Sequence, residues 1–326
     1  MYAYLQFIVF SLLSSCVFLP SGKVSRYKNY FPDSAFCKES KLKVTYFGTS
    51  TLLFEEEDEQ IMIDGFFSRP NIFKVAFGKV QCDTQWVRQL VDNFSITKLK
   101  AIFVCHSHYD HSMDAPYLAK ITGATIYGSS STLNVARGYG LPENQMKEFS
   151  PNETYYFKNF QVKVVQSIHT PPFRFLGFTN DNHKEPNINL PLKQPAKFQK
   201  FKEGGTYDFY FENKDFKWLV KASTNFIPNH LKDYSLDYFF LASATLGKMK
   251  FDFQEKYYQE TVISTKAKCV IPIHWDNFMK PLSKPFVPLS RVADRFNKSM
   301  DFLIQKTQKD SIRFLLIPEL QFIYLQ

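Results

Sequence analysis

Six consecutive residues concentrate the reactive side chains of this chain: His106-Ser107-His108-Tyr109-Asp110-His111. The whole sequence holds 7 histidines, so three in this one short run are hard to read as an ordinary solvated loop. Imidazole and carboxylate are ligands for zinc, manganese and iron. His106 and His108, two apart in extended chain, can point the same way. Asp110 and His111 can face a neighbouring position, so the run suits two adjacent cations. A water bound to such a metal loses a proton near neutral pH and attacks an ester, lactone, amide or phosphodiester centre. The metal also stabilises charge developing on the substrate oxygen.

The cluster needs a rigid support. Ala101 to Cys105 is a continuous apolar run, the mark of a strand buried on both faces. The histidines therefore sit at a strand's carboxyl end, where α/β proteins place their sites. Further strands are expected at 43–47, 51–55, 60–63, 125–127, 161–167, 206–211, 217–222, 237–242, 270–274 and 312–317. Asp83 can cap a helix carrying Trp86, Val87, Leu90, Val91 and Phe94 at helical spacing. Other helices are expected at 116–121, at 253–264 with Asp252 and Glu255 as a capping box, and at 291–305. This is an α/β pattern with helices outside. Pro171 to Gly205 interrupts it with five prolines, a long loop of the kind that serves function or moves. Phe173, Phe175 and Phe178 follow His169 closely and are candidates for a substrate-contacting lid. Lys193, Lys197, Lys200 and Lys202 form either a solvated face or a basic rim. His183 and His230 lie in polar loops and are expected in solvent.

Composition sets the limits. With 326 residues, 44% hydrophobic and 22% charged, the chain is neither disordered nor fibrous. Its aromatic share of 17% suits a strand-rich body. The net charge of +9 favours anionic partners. The basic residues are scattered rather than striped, so nucleic acid is not expected. No charged side chain occurs before Lys23, and Leu13-Ser14-Ser15-Cys16 resembles a bacterial lipobox. The expectation is export and lipidation at Cys16, with 1–27 as leader and tether and 28–326 as one catalytic domain. An uncleaved anchor and a cytoplasmic protein are the alternatives. Cys105 and Cys269 read as buried thiols, and a Cys37–Cys82 disulfide stays open.

His-x-His-x-Asp-His after a buried strand resembles the signature of the metallo-β-lactamase-fold hydrolases. The resemblance extends to Asp64 ending Ile61-Met62-Ile63, His169 in Ser167-Ile168-His169-Thr170, and His274 in Ile271-Pro272-Ile273-His274-Trp275-Asp276. It implies a four-layer αβ/βα sandwich with the metals at one edge. His106, His108 and His169 would hold one ion, and Asp110, His111 and His274 the other. Asp110 would also orient the nucleophile and Asp64 would brace the loop. The family usually bridges its two metals with an aspartate, but here the aligned residue is Ser223. That loss implies two metals without the carboxylate, one metal, or a site that no longer turns over. Asp276 either compensates or orients a ligand. His111-Ser112-Met113-Asp114, Gly204-Gly205-Thr206-Tyr207 and His274-Trp275-Asp276 resemble a lactonase-like branch, and His-Tyr-Asp-His more loosely resembles N-acyl-phosphatidylethanolamine phospholipase D. The implied cofactor is zinc, one ion or two, with manganese or iron as alternatives. The implied partner is a small-molecule or lipid-like substrate. A non-catalytic metal-binding or membrane-surface protein on the same fold is the rival expectation.

Overall fold

The structure is a computed structural model that describes residues 19–33, 36, 40–171 and 186–326, with the backbone of 174–175 and 178–179. Among the described residues sixteen strands occur in chain order: β1 (Leu42–Tyr46), β2 (Leu52–Glu56), β3 (Glu59–Ile63), β4 (Leu99–Phe103), β5 (Thr125–Gly128), β6 (Met146–Glu148), β7 (Thr154–Tyr156), β8 (Gln161–Ser167), β9 (Arg174–Phe175), β10 (Phe178–Thr179), β11 (Thr206–Glu212), β12 (Lys217–Lys221), β13 (Tyr238–Ala242), β14 (Cys269–Ile273), β15 (Arg313–Phe314) and β16 (Gln321–Tyr324). Two seven-stranded sheets result, ordered β16-β1-β2-β3-β4-β5-β6 and β15-β14-β13-β12-β11-β8-β7, beside a β9–β10 hairpin.

The sheets are stacked, and aromatic rings fill the gap between them. Phe54 of β2 meets Phe211, Trp218 and Phe240 of the second sheet at ring-centroid distances of 5.0, 5.2 and 5.6 Å. The high aromatic content is therefore largely core. Phe54 is fully buried, so Phe54→Ala should cost about 3–5 kcal/mol, measured by denaturant unfolding.

Helices cover both outer faces, completing the four layers. α1 (Ile72–Phe77), α2 (Thr84–Asn93), α3 (Tyr109–Ser112), α4 (Ala115–Thr122) and α5 (Ser130–Tyr139) belong to the first half. α6 (Phe251–Tyr258), continued by a π-turn over Gln259–Ile263, and α7 (Phe296–Lys309) cover the second sheet. Asp83 caps α2 by accepting from the Trp86 N–H at 3.1 Å. Buried Val87, Leu90 and Val91 form the inner face of that helix.

Several expectations need correction. Residues 19–27 are not a free tether. Val24–Tyr30 forms a 3-10 helix, and buried Tyr27 donates to Asp301 at 2.8 Å while its ring meets Phe296. The capping box does not form, because the helix begins at Phe251 behind Lys250 and takes Asp252 inside it. Glu255 instead pairs with Lys306 on α7. The helix expected from 291 starts at Phe296. The strand expected over 312–317 shrinks to Arg313–Phe314, because the Leu316 N–H donates to Tyr30 instead. His230 is only half-exposed and its Nε2 is buried without a partner. Cys82, Cys105 and Cys269 are buried free thiols, whereas Cys16, Cys37, Phe173 and His183 lie outside the described residues.

Candidate metal centre

The carboxyl ends of β3, β4, β8, β12 and β14 meet at one edge of the sandwich. Beyond them stand Asp64, the 106–111 loop, His169, Ser223 and His274 in turn. Four side chains of this loop and two from distant strand ends converge there as two adjacent triads: His106 with His108 and His169, and Asp110 with His111 and His274. Within each triad one ligand atom per residue lies within 4.8 Å of the others.

The first triad is nearly symmetrical. All three ring-centroid distances are 4.8 Å and the rings are inclined by 79–88°, like blades around a common point. The second is tighter. His274 Nε2 lies 3.3 Å from His111 Nε2, and Asp110 Oδ2 lies 3.6 and 3.7 Å from those atoms. Donors held about 2.1 Å from a tetrahedral ion stand roughly 3.4 Å apart, which matches this triangle. The rings of His106 and His111, one from each triad, are only 3.9 Å apart.

The protonation chemistry fits a cation. His106 is buried and neither ring nitrogen has a hydrogen-bond partner, an expensive arrangement unless something else uses a lone pair. Burial, and then the neighbouring imidazoles, hold His106 and His108 well below the usual histidine range. Burial likewise lowers His169, and brings His274 down to about 4. Neutral rings offer the lone pairs that metals need. His111 goes the other way: burial lowers it, but the Asp64 and Asp110 carboxylates outweigh that and raise it. His111 Nδ1 donates to Asp64 Oδ2 at 2.7 Å, which turns Nε2 toward the triad. Asp64 also accepts from Ser50 Oγ at 2.5 Å and from the Cys105 N–H at 2.8 Å. Asp64 thus fixes both the tautomer of one ligand and the start of the histidine loop. Asp64→Asn should weaken metal affinity about 10- to 100-fold, read by competition with a chromophoric chelator.

Of the other supports, Thr49, Arg69, Asn225 and Lys221 had no sequence signal, whereas Asp276 did. His274 has a φ of +58°, unusual for a residue with a Cβ. Its N–H is held by Thr49 O at 2.6 Å. Thr49 N–H in turn donates to Asp276 Oδ1 at 2.7 Å, and Asp276 Oδ2 pairs with buried Arg69 at 2.8 Å. Asp276 is therefore a buried anchor for the turn that holds His274, turned toward Arg69 and away from the ligand set. Gly48 stands in the same cluster with a φ of +82°, and a Cβ there would lie 1.9 Å from Arg69 Nη2. His169 is steadied by Asn225, whose amide donates to the His169 carbonyl at 2.7 Å. At the end of β12, Lys221 is buried between Asp208 and Ser167, at 2.8 Å from each. Gly204 packs so tightly on the histidine loop that a Cβ would lie 2.7 Å from Ser107 Oγ.

All six ligand candidates line one cavity of about 630 Å³ together with Ser223. Its walls are mostly apolar: Tyr109, Phe198, Phe201, Phe278 and Met279 contribute to the lining, and the Phe278 ring meets that of His274 at 5.6 Å. Phe198 and Phe201 come from the second part of the long 171–205 loop, and that part is fixed. Ala196 bridges to Val80, and the Leu192 N–H donates to Asn134 O at 2.8 Å. Ser223 is buried and its hydroxyl has no partner. Among the described residues Asp110 is the only carboxylate lining the cavity.

Residues 44–186 match the family profile of the metallo-beta-lactamase superfamily. The superfamily assignment belongs to that stretch. The matched stretch includes Asp64, the histidine loop and His169, while the structure adds Ser223 and His274 to the same edge. Among curated proteins, a UPF0173 metal-dependent hydrolase of Christiangramia forsetii is 28% identical over 134 residues, 40% of this chain and 50% of that protein. A UPF0173 metal-dependent hydrolase of Staphylococcus aureus is 26% identical over 151 residues, 46% and 56% respectively. The chain spans about half the length of the curated relatives it matches. Among solved structures, a metallo hydrolase from Ignicoccus hospitalis aligns with a TM-score of 0.55 at 14% identity, over 87% of this chain and 98% of that one. The diiron beta-hydroxylase CmlA of Streptomyces venezuelae aligns with a TM-score of 0.54 at 11% identity, over 88% and 55%. These two show that the metallo-beta-lactamase domain shares their fold.

Proposed function

We propose that the metallo-beta-lactamase domain is a metal-dependent hydrolase acting on an ester, lactone, amide or phosphodiester, with a lipid-like substrate preferred. The observation that carries this reading is the convergence of six metal-type ligands on the wall of an apolar cavity, with both nitrogens of His106 buried and unbonded. His106, His108 and His169 would hold one divalent ion, and Asp110, His111 and His274 a second. Zinc suits histidine-rich sites of this kind, with manganese and iron as competitors. A bound divalent metal supplies Lewis-acid activation of water and stabilises oxyanion charge. The chain's own residues do the rest. Asp110 reaches the cavity surface, where it can orient a water and accept its proton. Asp64 and Ser50 fix His111. Tyr109, Phe198 and Phe278 exclude bulk solvent and receive the apolar part of the substrate. The charge-free start and the Cys16 motif support an exported, lipid-anchored protein.

The rival reading, a metal-binding or membrane-surface protein without turnover, draws on Ser223. With Asp110 as the single lining carboxylate, two adjacent dications would be under-neutralised. Ser223→Asp should therefore raise the bound-metal stoichiometry toward two, measured by elemental analysis after dialysis. Metal content and a panel of ester, lactone and phosphodiester probes on the full-length protein decide between the two readings. Bound metal with no turnover of any probe favours the rival, and turnover lost with chelator and restored by metal supports the hydrolase.

A further inference from the structure

We infer that the mouth of the cavity is a docking face for an anionic membrane surface, from which an acyl-bearing amphiphile enters. The substrate half of this inference rests on the hydrolytic reading; the docking half does not.

Three features share the rim. The first is α1, a short helix whose Phe73 and Phe77 are 73% and 85% exposed. Four residues apart, they stand on one face of the helix, and Phe73 also lines the cavity. Burying a ring in water's place is favourable, and two adjacent rings left in water at the edge of an apolar cavity mark an interaction site. The second is the point where the described chain begins. Leu19, also exposed, accepts from the Arg291 N–H at 3.0 Å, and the Ser21 N–H donates to Leu289 at 2.9 Å. Leu289, Ser290, Val292 and Ala293 line the same cavity. The charge-free sequence before Lys23 is thus joined to the body at the cavity rim. If that sequence is held in a bilayer, the rim faces the lipid.

The third feature is charge. The rim stretches 66–82 and 277–293 contain no Asp or Glu. Lys74, Lys79, Lys280, Lys284 and Arg291 are all exposed on them. Beside Ser21, a second recess of about 680 Å³ is lined by Lys248, Arg295 and Lys298. Apolar rings surrounded by cations match the interface of an anionic bilayer, where rings enter the acyl boundary and ammonium groups meet phosphates. A soluble protein partner would not require residues 19–22 and the cavity mouth to share one side.

Tryptophan scanning tests this on the full chain. F77W is compared with Y156W, a site 76% exposed on β7 and outside the cavity. The probe is vesicles of phosphatidylcholine and phosphatidylglycerol, with and without brominated acyl chains. The F77W emission should fall about twofold or more on brominated vesicles, while Y156W follows the parent protein. Absence of vesicle binding, an unquenched F77W, or equal quenching at both sites would overturn the docking face. So would a blue-shifted F77W without vesicles, the result expected if the N-terminal sequence itself covers the cavity. In parallel, F77S/K79E should slow hydrolysis of a vesicle-embedded ester about tenfold and leave that of a dissolved short-chain ester unchanged. An equal loss on both substrates would overturn the route of entry. If neither ester is cleaved by the parent, the hydrolytic reading fails while the quenching still decides the docking face.

Discussion

His106→Ala is expected to abolish both metal retention and turnover without unfolding the protein. Affinity at the first triad should fall more than about 100-fold, because removing a ligand costs at least as much as removing its support. Hydrolysis should fall roughly a thousandfold or more. The stability readout separates this from simple damage. No protein group bonds either buried ring nitrogen of His106, so alanine removes a group the protein itself leaves unsatisfied as well as volume. The apo melting temperature should therefore change little, while the upward shift on adding metal should be lost. Full activity in His106→Ala refutes the site, and a collapsed apo melting temperature shows a structural role instead.

Arg69→Met should be the most destabilising surface-remote change near the site. Arg69 and Asp276 are 1% and 0% exposed in their side chains. Removing the guanidinium leaves a buried carboxylate without its ion-pair partner, a change worth about 3–5 kcal/mol in denaturant unfolding. The loss should spread to the metal, because Asp276 holds Thr49 and Thr49 holds the backbone of His274. R69M/D276L, which removes both charges, should recover part of the stability but not the metal affinity. A midpoint in R69M within about 1 kcal/mol of the parent would show that the pair carries little.

The candidate ligands of the 106–111 loop were legible because metal chemistry limits residue type and spacing, and because the loop follows a short apolar run; Asp64, His169 and His274 were picked out by the family resemblance. The α/β pattern was legible because strands buried on both faces read as continuous apolar segments; the four-layer arrangement was what the family resemblance implied. What positions the site was not. Arg69, 207 positions before Asp276, has no local pattern to mark its partner. Ser50 carries no local signal, and only the fold places it against Asp64. Segment ends went wrong where tertiary contacts won over local propensity. Glu255 left its capping role for Lys306, and the backbone after Leu315 turned from β14 to Tyr30. The 19–27 stretch read as tether because a single buried ring, Tyr27, carries its packing.

Anomalous diffraction from crystals of the full-length, zinc-loaded protein is the most direct measurement. The predicted result is an anomalous peak enclosed by nitrogens of His106, His108 and His169, with any second peak between Asp110, His111 and His274. Zinc bound only elsewhere, or no peak at either triad at saturating metal, would contradict a metal centre at this edge of the sandwich.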